Sequence, residues 1–529
     1  MISFDSLTLK AFTEESRNFL TGARIQKIQQ PSRKEIILTI RNNSVTKKLY
    51  ININPNSAHI CFMSKENEEK RYISIPQKPP MFCMLLRKYI ENAKISKINQ
   101  PQYERILEFY IETFNELSEK IYLCLAIEIM GKHSNIVLYN YDTNIIIGCA
   151  HNVGAEKSRE REMSGTLPYT YPPKQHKSDI INYYGNVDYT TLSENFYWFS
   201  HYFAEQCTGQ SLDKLKDFIN LKGLSPVISA DFLQYALFYE LLRGGIRQNS
   251  VNEMIDNYYA YHINFEKFSS LKHTYIAETK KKLNKIKNSI TKMEQQAQSN
   301  ISYDKFRLYG DLIMANLYNN KDFSPKILVF DYENNKEITL KLDETKTLKE
   351  NANIFYKKYN KSKTSKLKLD ELGAELKLNA EYLEQILYSL QNSQSIEELY
   401  EILPELNESA PPDKKSNKPS LPIETEIDSY KVYIGKNNRQ NDYIVSRLGK
   451  DDDLWFHTKD CAGSHVLLKG SNPPDSVILK CCELAKQYSS ASSSSKVGVI
   501  YTKHKYLRKP PKANPGYVTY KNEQEIIID

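Results

Sequence analysis

Hydrophobic and polar positions alternate most clearly between Gln102 and Tyr139. Leu107, Phe109 and Ile111 alternate with polar neighbours, Ile121 to Ile129 is apolar at every odd position, and Ile136 to Tyr139 is short and β-rich. The pattern predicts a three-stranded meander. Its turns hold the polar residues: Glu104 and Arg105 stand at the mouth of the first strand, and Glu128, Lys132, His133, Ser134 and Asn135 crowd the turn around Gly131. Successive strand residues point to opposite faces, so Glu104 and Arg105 are both exposed only if the strand begins beyond them.

Elsewhere in the first 175 residues, Phe4 to Phe19 reads as an opening helix, and Lys27 to Ile60 as strands split at Pro31-Ser32 and Asn42-Asn43. Pro79-Pro80 opens a helix in which Phe82, Leu85, Leu86 and Tyr89 share one face. Residues 176–262 read as small helices, with a helix, a glycine turn and a new helix at Leu221 to Pro226; Ser225 is its N-cap and Pro226 its first residue. Such a turn is either a phosphate-binding backbone nest or a packed helix corner.

Over 263–408, Ile276, Thr279, Leu283, Ile286, Ile290, Met293 and Ala297 step by three and four, the rhythm of a coiled coil. A periodic return segment lies over Lys349 to Leu403, and two alternating runs about Glu333-Asn334-Asn335-Lys336 predict a β-hairpin between them. The insert favours an antiparallel arm over a dimerisation coil; at ~1.5 Å per residue it reaches ~50 to 70 Å. Asn407 to Pro422, rich in Ser, Pro and Lys, places a linker at 409–423. A last α+β domain, 424–529, follows, with strands at Lys431–Ile434, Leu454–Thr458, Ser464–Leu468 and Val497–Tyr501 and a helix near Ser476–Tyr488.

Length and composition narrow the class. At 529 residues the chain is too long for one core. No apolar run approaches the ~20 residues of a membrane span, the opening MISFDSLTLKAF lacks a basic start and a cleavage site, and the eight cysteines form no C-x-x-C pair. A cytoplasmic protein with reduced thiols is expected. The net charge of +8 is modest, but Lys503, Lys505, Arg508, Lys509 and Lys512 form a run without an acid, interleaved with tyrosines, as an RNA-facing surface does. The alternative is a solvated loop. His457 and His465 flank a turn, and with His504 they lack the carboxylate or thiol spacing of a zinc site, so no metal or other cofactor is expected. Of Trp455 and Phe456, which face opposite sides, one is assigned to the core and the other to a stacking platform. P-loop, Rossmann and nucleophile-elbow motifs are absent.

The turn E-I-M-G-K-H-S-N at Glu128 to Asn135, the pair Glu104-Arg105, and the segments Pro79 to Tyr89 and Gly165 to Pro173 resemble the NFACT family, whose bacterial members are RqcH-type ribosome quality control proteins, earlier labelled fibronectin-binding protein A-like. The family's Asp-Arg pair is here Glu-Arg, and its Asp-Gly is Asp5-Ser6. The blocks Gly435 to Asp442, Asp453 to Val466 and Lys509 to Gly516 resemble the family's RNA-binding domain, NFACT-R. The resemblance implies a multidomain α+β chain: a glycosylase-like N-terminal α+β domain (1–175), a helix-hairpin-helix domain (176–262), an antiparallel coiled-coil arm with a β-hairpin tip, and a C-terminal α+β RNA-binding domain.

It implies a factor that binds stalled large ribosomal subunits carrying peptidyl-tRNA, through ribosomal RNA and the stalk-base region, and recruits alanyl-tRNA for template-independent alanine tailing. Glu104, Arg105 and Asp5 would contact tRNA; for Lys132 and Asn135, tRNA contact and a structural turn stand as equal readings. Trp455, His457, His465 and the basic run would contact RNA. Glycosylase chemistry would need a proline amine, and residues 2 and 3 are Ile and Ser. A surface adhesin would need export and an anchor. A general RNA-binding factor without tailing is the remaining alternative.

Overall fold

The computed structural model describes residues 1–71, 73–154, 156, 161–299, 303–318, 323–331, 335–406 and 420–529. It is a mixed α/β structure with long helices and antiparallel sheets, divided into two compact units, Met1–Lys267 and Phe268–Asp529.

The first unit opens with helix α1 (Ser6–Leu20), followed by strands β1 (Arg24–Ser32), β2 (Glu35–Asn42), β3 (Val45–Asn52) and β4 (His59–Phe62), helices α2 (Lys65–Lys70) and α3 (Met81–Ile90), and strands β5 (Lys94–Asn99), β6 (Ile106–Phe114), β7 (Lys120–Glu128), β8 (Asn135–Asn140) and β9 (Ile146–Cys149). They form one antiparallel sheet of order β4-β3-β2-β1-β5-β6-β7-β8-β9. The predicted meander is β6-β7-β8, and β6 starts one residue beyond Arg105. β7 is buried on both faces: Leu123, Leu125 and Ile127 join the main core, while Cys124 and Ala126 join a smaller cluster with Tyr139 and Tyr169. That double burial explains why its sequence departs from strict alternation.

Helices α4 (Leu192–Asn195), α5 (His201–Gln206) and α6 (Leu212–Ile219) follow. The helix expected to begin at Pro226 does not form. Leu221 and Gly223 take positive φ, and the chain continues into β10 (Val227–Ile228), the centre of a small sheet with β11 (Tyr235–Ala236) and β12 (Ile246–Arg247). Val227 and Ile228 are fully buried, and ladder pairing with β11 and β12 satisfies their backbone where a helix would have to displace both partners. Helix α7 (Val251–Ser299) begins against β4: Asp256 accepts from Ser64 N (2.9 Å), Asn67 Nδ2 (2.8 Å) and Arg71 Nη1 (2.6 Å).

In the second unit, α7 runs antiparallel to α9 (Leu348–Asn392), as the ion pairs Lys287–Glu384 (2.6 Å) and Glu294–Lys377 (3.0 Å) register. Thr279 and Leu283 are buried in the seam; Ala297 lies where no side chain is described. Between these helices lie α8 (Asp304–Ala315), which no periodicity announced, and the hairpin β13 (Lys326–Asp331) and β14 (Lys336–Lys341). Glu333 and Asn334 of its expected turn fall outside the described residues, as does most of the expected linker, 407–419.

After α10 (Ile396–Leu406), the chain forms β15 (Ile423–Ile427), β16 (Tyr430–Ile434), α11 (Asn438–Tyr443), β17 (Leu454–Thr458), β18 (Val466–Leu468), α12 (Asp475–Gln487), β19 (Val497–Lys503) and β20 (Gln524–Ile528). The sheet order is β15-β16-β18-β17-β19-β20. The edge strands β15 and β20 add to the four predicted, and Ile423 belongs to β15 rather than to the linker. Helix α12 covers one face through Val477, Cys481, Cys482 and Ala485. No described helix is long and apolar enough to cross a membrane.

Candidate nucleic-acid interface

A tight loop presents Arg105. Glu104 N donates to Pro101 O (3.0 Å), and Gln100 Nε2 donates to both Glu104 O (2.8 Å) and Ser6 O (2.9 Å), tying the loop to the start of α1. Tyr103 takes φ 69°, costly for a bulky residue, and its ring stacks on Tyr197 at 4.0 Å while its hydroxyl donates to Asp179 (2.9 Å). Ile129 N then donates to Arg105 O (2.8 Å), and the β6-β7 ladder begins.

Arg105 lines a pocket of about 430 Å³ with Phe4, Pro55, Ile129, Gly131 and Glu266. Among the described residues no ion pair or hydrogen bond engages its guanidinium. Burial pulls it below its ordinary pKa, against the attraction of Asp5 and Glu104, yet guanidinium stays charged at neutral pH. Glu104 is raised by burial, with Arg105 and Arg161 opposing. Five fixed donors in a partly desolvated pocket have the chemistry to take an anion or a base edge.

The other N-terminal positions divide. Lys132 is exposed beside Gly131. Asp5 is a correction: it is buried, its Oδ1 caps α1 by accepting from Thr8 N (2.8 Å), and its Oδ2 accepts from Ser200 Oγ (2.7 Å), so it acts on Arg105 through its charge. Of the two readings for Asn135, its side-chain bonds support the structural turn. Its Oδ1 accepts from Ile136 N and His151 N, and its Nδ2 donates to His151 O, which commits the amide to holding the turn. Glu128 is likewise internal: Arg161 grips it at 2.6 and 2.9 Å and Tyr169 donates to it at 2.9 Å. Arg161 and Tyr169 escaped the sequence reading; the signal for them was an acid at the end of an apolar strand, which burial obliges to find a cation.

In the C-terminal sheet, Trp455 and Phe456 face opposite sides, but both are buried, at 1% and 0% exposure. This corrects the expectation of an exposed platform: Phe456 lies in the α12 core, and Trp455 packs with His457, His465 and Tyr520. His457 and His465 do approach each other, with ring centroids 5.3 Å apart, and burial lowers both pKa values. His504 turns instead to Val445 O (2.7 Å). No group of three or more metal-ligating side chains occurs among the described residues.

The basic run, acid-free in sequence, meets acids in space. Lys503 and Lys505 lie 3.7 and 3.8 Å from Asp452, and Lys509 pairs with Asp442. These partly exposed pairs are weak and open to exchange. Arg508 and Lys512 are exposed, with no ion pair among the described residues.

The family model for NFACT N-terminal and middle domains matches residues 5–241 and 233–420, and that for the NFACT protein RNA binding domain matches 423–522. The chain is 31% identical to the Rqc2 homolog RqcH of Bacillus subtilis (strain 168) over 571 aligned positions, covering 100% of this chain and 98% of that protein. It is 30% identical to the Rqc2 homolog RqcH of Streptococcus suis (strain 05ZYH33), with the same coverage. The solved N-terminal part of the fibronectin/fibrinogen-binding protein from Streptococcus suis aligns at a TM-score of 0.43 and 28% identity, covering 49% of this chain and 99% of that one. With two family models spanning nearly all of it and full-length relatives at 30% and 31% identity, the chain belongs to the NFACT family.

Proposed function

We propose that this protein is a ribosome-associated quality control factor of the RqcH type. It binds stalled large ribosomal subunits carrying peptidyl-tRNA and recruits alanyl-tRNA for template-independent addition of C-terminal alanines, which mark the nascent chain for degradation. The observation that carries the reading is the Arg105 guanidinium, largely buried, open to a pocket and without an ionic partner among the described residues. Full-length similarity to proteins named Rqc2 homolog RqcH supports the ribosomal assignment.

In this reading Arg105 takes a phosphate or base edge of tRNA bidentately, Glu104 accepts from a base amine or ribose hydroxyl, and Lys132 contacts the backbone. Residues 1–175 form the tRNA-holding domain, 263–408 the arm to the stalk-base side of the subunit, and 424–529 the domain contacting RNA through Lys503, Lys505, Arg508, Lys509 and Lys512. The protein acts in the cytoplasm and positions rather than catalyses: the ribosome's peptidyl-transferase centre forms the bond, and holding the tRNA supplies proximity.

A non-stop reporter in cells with and without the gene tests this. Mass spectrometry is expected to find reporter chains extended by untemplated C-terminal alanines only when the protein is present. Equal tails in both cells, or none in either, overturn the tailing function.

A further inference from the structure

The second face of the C-terminal sheet, opposite α12, carries the buried Trp455, Leu467 and Ile500. It opens on a cleft of about 880 Å³ walled by α9 and by the segment Pro510–Tyr520. The α9 wall is fixed by a two-way amide clasp: Gln385 Nε2 donates to Gly463 O and Gly463 N donates to Gln385 Oε1, both at 2.8 Å. Trp455 and His457 lie side by side on β17 with planes 6° apart and centroids 5.8 Å apart, and His465 stands perpendicular to both.

Two polar atoms of residues on this face are buried and lack any partner among the described residues: Trp455 Nε1 and His465 Nδ1. Each such orphan costs ~1–3 kcal/mol, so the two mark this wall as hydrogen-bonding capacity that the fold leaves unmet. Burial holds both imidazoles neutral, so this wall offers a donor and mixed hydrogen-bonding atoms but no charge. That chemistry fits a flat heterocycle with donors and acceptors on its edge. Charge lies on the flanks, with Glu375 and Glu381 on the α9 side and Lys459 and Lys512 on the other.

We propose that this cleft binds one unstacked nucleobase of single-stranded RNA, with its edge toward Trp455 and His465 and its phosphate on the Lys512 side. The proposal rests on the reading of this domain as an RNA binder. It assigns base contact to the cleft and backbone contact to the basic run, and it makes α9 part of the RNA site.

The chain has two tryptophans, so Trp198→Phe leaves Trp455 as the sole indole emitter of the full-length protein. Titration with a single-stranded RNA hexamer is expected to change that emission saturably, and an abasic hexamer of equal charge is expected to bind at least tenfold more weakly. Tyr520→Ala, at the exposed rim, is expected to weaken the intact hexamer about tenfold while leaving the abasic one unchanged. Anisotropy of labelled hexamers on the unsubstituted protein reads the same base preference without relying on the Trp198 variant. Equal binding of intact and abasic hexamers with unchanged Trp455 emission overturns the base site and leaves backbone recognition standing. Binding of neither overturns the base site and the RNA-binding reading together.

Discussion

At the scale of single residues, Arg105 and Asp256 show two uses of a buried charge. Asp256 has its charge partner Arg71 and two further donors, and both ionic side chains are almost fully enclosed. Asp256→Ala strands the Arg71 cation and is expected to cost ~3–5 kcal/mol in urea unfolding of the N-terminal unit. Arg105 has no such partner among the described residues, so Arg105→Ala is expected to leave unfolding nearly unchanged and to weaken tRNA binding by ~1–3 kcal/mol in filter binding. A large loss of stability would instead make Arg105 a structural residue. His59, stacked on Tyr259 at 4.1 Å, is held down to about 3 by burial, with the Arg71 charge adding to the effect. Below its ordinary pKa the unfolded chain takes up a proton that the native site refuses, so stability falls from about pH 6.5 down toward about pH 3. Urea midpoints measured across that range are expected to decline, and His59→Phe is expected to flatten the decline.

At the scale of elements, helix α9 starts on a capping box: Thr347 Oγ1 accepts from Glu350 N, and Glu350 Oε2 accepts from Thr347 N at 2.8 Å. Thr347→Ala is expected to cost ~1 kcal/mol, read as several-fold faster hydrogen exchange in the first turn of α9 with the rest of the helix unaffected. Elements with strong local periodicity were legible in sequence: the Met81–Ile90 helix, the β6-β7-β8 meander and the long pair α7 and α9. Those decided by distant pairing were not. Ser225-Pro226 carries the marks of a helix start, yet Val227 and Ile228 gain more by pairing with β11 and β12. The edge strands β15 and β20 depend on neighbours that no local pattern names. The candidate site divides the same way. The Glu104-Arg105 pair stands out locally because it immediately precedes a strand, although both side chains are partly buried, whereas the commitments of Asp5 to Ser200 and of Asn135 to His151 are made across the fold.

At the scale of the whole molecule, tRNA recognition by residues 1–175 and subunit binding by the arm and the C-terminal domain are proposed as separate roles. If the assignments are separate, their losses are separable as well. The most direct measurement is to purify the tagged protein and its Arg105→Ala variant from cells at moderate salt and sequence the RNA bound to each. The account predicts large-subunit ribosomal RNA with both, and one dominant tRNA, specific for alanine, with the unsubstituted protein alone. Ribosomal RNA without an enriched tRNA in the unsubstituted protein, or a tRNA retained undiminished by the variant, would contradict it.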